Sequence, residues 1–188
     1  NVLTFFIENA PNEVKRAKYS ASQERSIGVG SLGFHAYLQK NGLAWESNEA
    51  KGANLRMFRH IRSKLDEANL SLGKDRGEAP DAKGTGNRFS HLMAIAPNAS
   101  SSIIMGNTSP SIEPWRANAY RQDTLSGAYL NKNKYLDAII TAYCEKHPRT
   151  NYDEVWSSII SNDGSVQHLT QLTKEEKGVF KTSMEIDQ

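Results

Sequence analysis

The residues best suited to chemistry lie in "APNASSSIIMGN", residues 96–107, where small and hydroxyl side chains begin a predicted short helix. The first turn of a helix has backbone N–H groups without internal acceptors, at the positive end of the helix dipole. Ser100, Ser101 and Ser102 would add hydroxyl donors, and the small Ala99 would let a ligand approach the backbone. Such a turn suits a phosphate or diphosphate group. Serines also cap helices that bind nothing, so the residues alone leave both interpretations open.

A second candidate is "RSIGVGSLGF", residues 25–34, in which Gly28, Gly30 and Gly33 have the spacing G-x-G-x-x-G. In dinucleotide-binding folds this spacing follows a buried strand and opens a helix. Here Ile27 is the only large apolar residue in the preceding "SASQERSI", so the strand is missing from the pattern. The spacing favours close backbone packing in a βα unit, with an NAD(P)-binding oxidoreductase as the alternative.

The remaining polar candidates are weaker. Arg56, Arg59 and Arg62 recur every three residues, which makes a nucleic-acid-binding module a further alternative. The formal net charge is only +2, so a solvated helix face is favoured. Cys144 is the only cysteine and falls in an apolar helical pattern, which favours a core thiol over a nucleophile. The five histidines are widely spaced, and no metal site is predicted.

The serine segment must be positioned by the elements before it. Ser47 is predicted to cap a long amphipathic helix that stops at Gly73 and Gly77. The polar stretch 73–88 predicts a flexible surface loop. The apolar "FSHLMAIAP", residues 89–97, then predicts a buried parallel strand that leads into the serines.

After the serines the pattern becomes mostly helical. Glu113, in "SIEP", is interpreted as a loop-ordering residue rather than a catalytic carboxylate, since no second carboxylate lies nearby in sequence. A short strand or hairpin is predicted near residues 120–130, followed by two helices, the second of which stops at Gly164. Thr173 and Glu176 form a capping box for a last helix, "TKEEKGVFKTSMEI".

The composition indicates one domain or part of one. The chain has 188 residues, 38% hydrophobic, and a mean hydropathy of −0.61. It begins "NVLTFFIENAP" without an initiator Met and ends "TSMEIDQ" in mid-pattern, so we expect a fragment of a larger protein. No stretch approaches 18 apolar residues, and no signal peptide is visible.

Three segments together carry a family resemblance: "RSIGVGSLGFHAYL", "GNRFSHLMAIAPNASSSIIMGNTSPSIEPWRANAYRQDTLSGAYLNKN" and "IISNDGSVQHL". They resemble the C-terminal part of the large (alpha) subunit of class I ribonucleotide reductase, in wording closest to T-even-type bacteriophage versions. The resemblance implies an α/β fold, the C-terminal portion of a ten-stranded α/β barrel with flanking helices. Residues 1–188 would then be a single fragment of the catalytic barrel domain, with "IGVG" in one of its strands.

The resemblance also implies a role for the serine segment. In the family this turn holds the diphosphate of the ribonucleotide substrate, and the motif falls on Pro97, Asn98, Ala99, Ser100 and Ser101. The family's catalytic cysteines, Asn and Glu should lie upstream of this segment, and its radical-transfer tyrosines downstream. Cys144 matches none of them. We therefore expect no catalytic residue, metal or cofactor within this chain.

The implied partners follow from the same resemblance. They are the rest of the large subunit with its cysteines, a radical-generating small (beta) subunit that contains metal, nucleotide effectors and a ribonucleoside diphosphate substrate. No membrane or direct nucleic-acid partner is expected. The expected location is the cytoplasm, or the host cytoplasm if a phage encodes the chain.

Overall fold

The computed structural model describes residues 1–124 and 127–187 and is mainly helical. In chain order its helices and strands are α1 (Val2–Asn9), α2 (Lys15–Glu24), α3 (Phe34–Lys40), α4 (Asn48–Arg76), α5 (Ala99–Ile104), β1 (Ala119–Thr124), β2 (Gly127–Lys132), α6 (Lys134–Lys146), α7 (Tyr152–Ser161) and α8 (Lys174–Val179). Short 3₁₀ turns occur at Asn12–Val14 and Pro80–Ala82. No helix within the described ranges is long and apolar enough to cross a membrane.

The chain divides into two compact units. The first unit comprises Asn1–Gly30 and Asn54–Ala96, and the second comprises Ser31–Ala53 and the chain from Pro97 onward. The predicted cap of α4 is confirmed, because the Ser47 hydroxyl accepts a hydrogen bond from the Ala50 N–H at 3.0 Å. The predicted stop at Gly73 is wrong. Helix α4 continues to Arg76 and ends where Gly77 adopts a left-handed φ of 81°.

Gly73 has a packing role in the first unit instead. A Cβ atom at this position would lie 1.8 Å from the carbonyl oxygen of Gly86. The loop that contains Gly86 is tied to its own start, since the Glu78 carboxylate accepts backbone N–H bonds from Gly84 at 2.7 Å and Gly86 at 2.5 Å. Ala79 is fully buried. The predicted flexible loop is therefore a hydrogen-bonded loop packed on α4.

The predicted buried strand at 89–97 is wrong in its extent. The Ile27 N–H donates to the His91 carbonyl and the Val29 N–H to that of Leu92, at 3.0 and 2.9 Å. Val29 and Met93 form a single parallel bridge. A parallel strand is buried when other elements cover both faces of its sheet. Within the described residues this segment pairs at a single bridge, and Ile95 is 72% exposed.

The second unit contains the hydrophobic core. Leu136 and Ile140 on α6 face Trp156 and Ile159 on α7, all at most 1% exposed. The other members of this cluster are Ala119, Val155, Val166, Leu169, Leu172, Val179 and Phe180. The i, i+4 spacing on α6 and the i, i+3 spacing on α7 explain why these two helices bury one face each.

Caps and a hairpin frame this core. The side chains of Asn133 and Asn151 cap α6 and α7, and the predicted capping box of Thr173 and Glu176 is confirmed at the start of α8. Helix α8 ends at Val179, earlier than the sequence pattern indicated. The predicted hairpin is also confirmed: β1 pairs antiparallel with β2, with Ala119 opposite Lys132.

Candidate functional site

The serine segment forms the start of α5, as the sequence predicts. Asn98 precedes the helix in a left-handed conformation, φ 50°, and its side chain makes no capping hydrogen bond. The Ser102 N–H donates to the Asn98 carbonyl at 2.9 Å, which closes the first turn. Within the described part of the chain, the N–H groups of Ala99, Ser100 and Ser101 have no acceptor. Three adjacent backbone donors are therefore open to a ligand.

The side chains of this turn divide into two groups. Pro97, Ala99, Ser100 and Ser101 are exposed, and Asn98 is half-buried. Ser102 is 4% exposed, and its hydroxyl donates to the Ala99 carbonyl at 2.7 Å. The expectation that Ser102 would supply a ligand donor is therefore wrong, because its hydroxyl is already used inside the helix.

A cavity of about 770 Å³ lies beside α5 in the second unit. Ala99, Ser102 and Ile103 line it from α5, and residues 115–117 line it from the loop that precedes β1. The loop contributes an indole, Trp115, and an exposed cation, Arg116. Neither residue is predicted from the sequence pattern. The signal available for them was the large aromatic and basic pair between Pro114 and Ala117 in a segment rich in small residues.

The glycine segment is used for close packing. A Cβ on Gly28 would lie 2.7 Å from the Ala94 Cβ, and one on Gly30 would lie 2.5 Å from the Ala94 carbonyl oxygen. Residue 94 therefore occupies the space that a dinucleotide fingerprint keeps open for a pyrophosphate. The close-packing interpretation is confirmed. Gly33 adopts φ 82° just before α3, and a Cβ there would lie 2.6 Å from the Thr108 hydroxyl oxygen.

The other sequence candidates lie apart from the serine turn. Arg56, Arg59 and Arg62 are exposed on α4, where Arg62 pairs with Asp66 at 2.9 Å, as on a solvated helix face. Cys144 on α6 is half-buried against the hydrophobic core. Glu113 is exposed on a turn closed by its own N–H and the Pro110 carbonyl. Within residues 1–124 and 127–187, no group of three His, Cys, Asp or Glu side chains is arranged to hold a metal.

His35 on α3 is the buried titratable group that the sequence analysis passed over. It is 0% exposed, and its Nδ1 accepts a hydrogen bond from the Trp115 N–H at 2.9 Å. Desolvation by burial lowers the pKa of His35 from 6.5 to about 4. The imidazole is therefore neutral near pH 7. A polar residue between the apolar Phe34 and Ala36 was the sequence signal.

Comparison with protein families gives a match that runs through both units. The ribonucleotide reductase barrel domain model matches residues 1–85 and 80–188. Three viral relatives each align with 100% of the length of this chain. Two are ribonucleoside-diphosphate reductase large subunits of invertebrate iridescent viruses 6 and 3, 56% and 57% identical. The third is a putative large subunit of frog virus 3, 43% identical.

The chain spans 20%, 30% and 33% of the length of these three relatives. Among solved structures, the class Id ribonucleotide reductase alpha subunit of Actinobacillus ureae aligns with a TM-score of 0.85 and 42% identity. That alignment covers 98% of this chain and 33% of the other.

These matches support the α/β barrel fold class and do not favour an NAD(P)-binding or nucleic-acid-binding alternative. The relatives named above are viral proteins of other groups, so a particular resemblance to T-even-type bacteriophage versions stays a prediction. The family model covers the glycine segment, the serine turn and the core of the second unit alike. This chain belongs to the family of ribonucleotide reductase barrel domains.

Proposed function

We propose that this chain is part of the large subunit of a ribonucleoside-diphosphate reductase, which reduces ribonucleotides to deoxyribonucleotides by radical chemistry. Family membership and the names of the viral relatives support this activity. The chain corresponds to a single segment of the barrel domain, residues 1–188. The ten-strand count of the complete barrel belongs to this proposal as well.

The contribution of this chain is to bind the substrate diphosphate at Pro97–Ser101. The observation that carries this role is the set of three adjacent N–H groups, at Ala99, Ser100 and Ser101, that lack an acceptor in the described chain. Two exposed hydroxyls stand beside them. A bound diphosphate fixes one end of the substrate, which lowers the entropic cost of reaching the reactive geometry.

The chemical step requires groups from outside this chain. Cys144, the only cysteine, packs against the core, away from the serine turn in sequence and in its contacts. The rest of the large subunit would supply the reactive cysteines, and a metal-containing small subunit would supply the radical. Nucleotide effectors would bind elsewhere on the large subunit. The proposed site of action is the cytoplasm, or the host cytoplasm for a viral protein, with no membrane or direct nucleic-acid partner.

The test is a charge reversal at the turn in the complete large subunit, assayed with its small subunit. A Ser100→Glu, Ser101→Glu double variant places two carboxylates beside the proposed diphosphate. The negative carboxylates repel the negative diphosphate, and the larger Glu side chains also block access to the open N–H groups. We expect the KM for a ribonucleoside diphosphate to rise by roughly 10- to 100-fold.

The matched control is Ser157→Glu, an exposed serine on α7. It adds the same charge to a helix surface remote in sequence from the turn, and we expect its KM to equal that of the unmodified enzyme. An unchanged KM in the folded double variant would remove the proposed role of the turn. Reductase turnover by the purified 188-residue chain alone would contradict the assignment of the chemistry to other parts of the enzyme.

A further inference from the structure

The cavity residues Trp115, Arg116 and Ala117 belong to a loop, residues 107–118, that is anchored on α3. The Gly33 N–H donates to the Ser109 carbonyl at 2.8 Å, and the Ala36 N–H donates to the Ser109 hydroxyl at 3.0 Å. Ser109 is 0% exposed. These bonds satisfy N–H groups at the start of α3 that have no acceptor in their own helix. The loop therefore serves as the N-terminal cap of α3, and α3 in turn fixes the loop.

His35 makes the next anchor along the same loop. Its Nδ1 accepts the Trp115 N–H at 2.9 Å, so the proton of the neutral ring resides on Nε2. The Gln39 Nε2 lies 3.4 Å from this ring nitrogen and donates to the Val179 carbonyl, so Gln39 packs against the ring and does not accept its proton. The ring also contacts Trp45 edge-on, with centroids 5.4 Å apart. A protonated imidazole has no lone pair to accept the Trp115 N–H. Burial keeps the ring in the form that makes this bond.

A chain of amide side chains holds the far end of the loop. The Asn133 Nδ2 donates to the Gln39 Oε1 at 2.8 Å and to the Asn118 Oδ1 at 3.0 Å. The Asn118 Nδ2 donates to the carbonyls of Gly164 and Phe180 at 3.0 and 2.8 Å. Gln39, Asn118 and Asn133 are all buried. Residues 115–117, which line the cavity, are therefore held between His35 on one side and Asn118 on the other.

The same loop is bonded to α5. The Thr108 N–H donates to the Ser102 carbonyl at 3.0 Å, at the residue that closes the first turn of α5. The loop and the turn at Pro97–Ser101 are thus joined by a direct backbone bond next to the turn. Buried hydrogen-bonded networks of this kind specify one arrangement of the groups they join.

We propose that His35 is a positioning residue for substrate binding, acting through the Trp115 N–H on the cavity wall and the serine turn. This inference rests on the proposed diphosphate role of that turn. His35 does not touch the substrate. Its function is to supply a buried, uncharged acceptor at a point where the loop would otherwise leave a backbone donor unpaired.

Two substitutions of His35 in the complete large subunit separate this role from bulk stability. His35→Leu nearly keeps the side-chain volume but removes the acceptor. His35→Asn loses volume but can place an amide oxygen near the position of Nδ1. We expect His35→Leu to raise the substrate KM about tenfold, which is about 1.4 kcal/mol, with a smaller change in kcat. We expect His35→Asn to return the KM to within about threefold of the unmodified enzyme.

A purely structural role predicts a different ranking, with KM following thermal stability in both variants. Hydrogen exchange of the Trp115 amide supplies a second readout, expected to be faster in His35→Leu and restored in His35→Asn. If His35→Leu does not fold, Ser109→Ala removes the neighbouring anchor at Ala36 and is expected to raise the KM by a smaller factor.

The outcomes distinguish the two proposals. A raised KM in the Ser100→Glu, Ser101→Glu variant with an unchanged KM in His35→Leu overturns the role of His35 alone. Equal KM values in His35→Leu and His35→Asn also overturn it. An unchanged KM in the serine variant overturns the diphosphate role, while the exchange rate of the Trp115 amide still reports whether His35 holds the loop.

Discussion

The two compact units of this chain are stabilised by different interactions. The second unit buries an eleven-residue apolar cluster centred on Leu136, Ile140, Trp156 and Ile159. In the first unit the buried apolar residues are Ala79, Ala82 and Leu92, and neither α1 nor α2 has a buried residue. The first unit instead brings backbone segments close together at glycines and ties its loop with the Glu78 carboxylate.

This difference bears on where a binding site can be held with precision. The serine turn belongs to the unit with the apolar core, and its supporting loop is bonded to α3 and α6. Both units expose large apolar side chains, Phe5 and Tyr19 at 68% in the first and Ile104 and Met184 at 82% in the second, so the buried core is what distinguishes the second unit. A site needs supporting groups whose own positions are fixed by packing, and the second unit supplies them.

The comparison predicts its largest effect at Trp156, which is 1% exposed in the core. Trp156→Ala removes a buried aromatic side chain and leaves a void, so we expect a loss of about 3–5 kcal/mol in the free energy of unfolding. Denaturant unfolding of the chain measures this loss. Ile160→Ala on the same helix is the control, because Ile160 is 44% exposed and should cost far less. Equal losses in the two variants would mean that burial of apolar side chains is not the main source of stability in the second unit.

The second largest effect is the dependence of the free energy of unfolding on pH. The folded pKa of His35 is lowered from 6.5 to about 4, so between these values the unfolded chain binds the proton and the folded chain does not. The neutral His35 imidazole therefore leaves the free energy of unfolding undiminished above pH 6.5, and this free energy falls as the pH falls toward 4. At about 1.4 kcal/mol per pKa unit, this fall amounts to about 3 kcal/mol. His35→Leu should show a correspondingly shallower loss of stability over this range.

The control for the acid effect is His60→Gln, at an exposed histidine of α4. It removes one surface imidazole and leaves His35 in place, so the pH dependence due to His35 should remain. The described contacts of His35 with Trp45, Trp115 and Gln39 involve no titrating group, so the difference between the two curves isolates the imidazole. A parallel pair of curves for His35→Leu and the unmodified chain would show that His35 is solvated.

The same contrast explains which parts of the structure could be predicted from the sequence. Local chemistry was sufficient for the caps at Ser47 and Thr173, where one side chain bonds the backbone three residues on. The serine turn was found for the same reason, since its open N–H groups follow from being at the start of a helix. The diphosphate role itself came from the family resemblance and stays a proposal.

Features that depend on distant partners were missed. Gly73 was predicted to end a helix, but a glycine is required there because the Gly86 carbonyl oxygen packs against its Cα. The strand predicted at 89–97 depends on pairing and covering elements that lie far away in sequence, and the described residues provide one bridge, at Val29. His35 was passed over because its partner, the Trp115 N–H, is 80 residues away. A single sequence carries no spacing rule for such contacts.

The smallest predicted effect tests the first unit at Gly73. Ala is ordinarily better than Gly within a helix by about 1 kcal/mol. At Gly73 the added methyl group would lie 1.8 Å from the Gly86 carbonyl oxygen, so the loop must move. We expect Gly73→Ala to lower the free energy of unfolding by roughly 1–2 kcal/mol, with faster hydrogen exchange in the loop at 78–88.

Gly178→Ala in α8 is the matched helical control. A methyl group at that position would meet the Ala44 Cβ at 3.7 Å, an ordinary contact, so helix propensity alone should make the change neutral or stabilising. Both substitutions add one methyl group to a helical glycine, and the surroundings of that methyl group differ as described. If both stabilise the chain, the close approach of α4 and its loop is not what holds the first unit together. The loop would then be held by its other bonds, among them those to the Glu78 carboxylate and the bond from the Ala79 N–H to the Asn87 carbonyl at 3.0 Å.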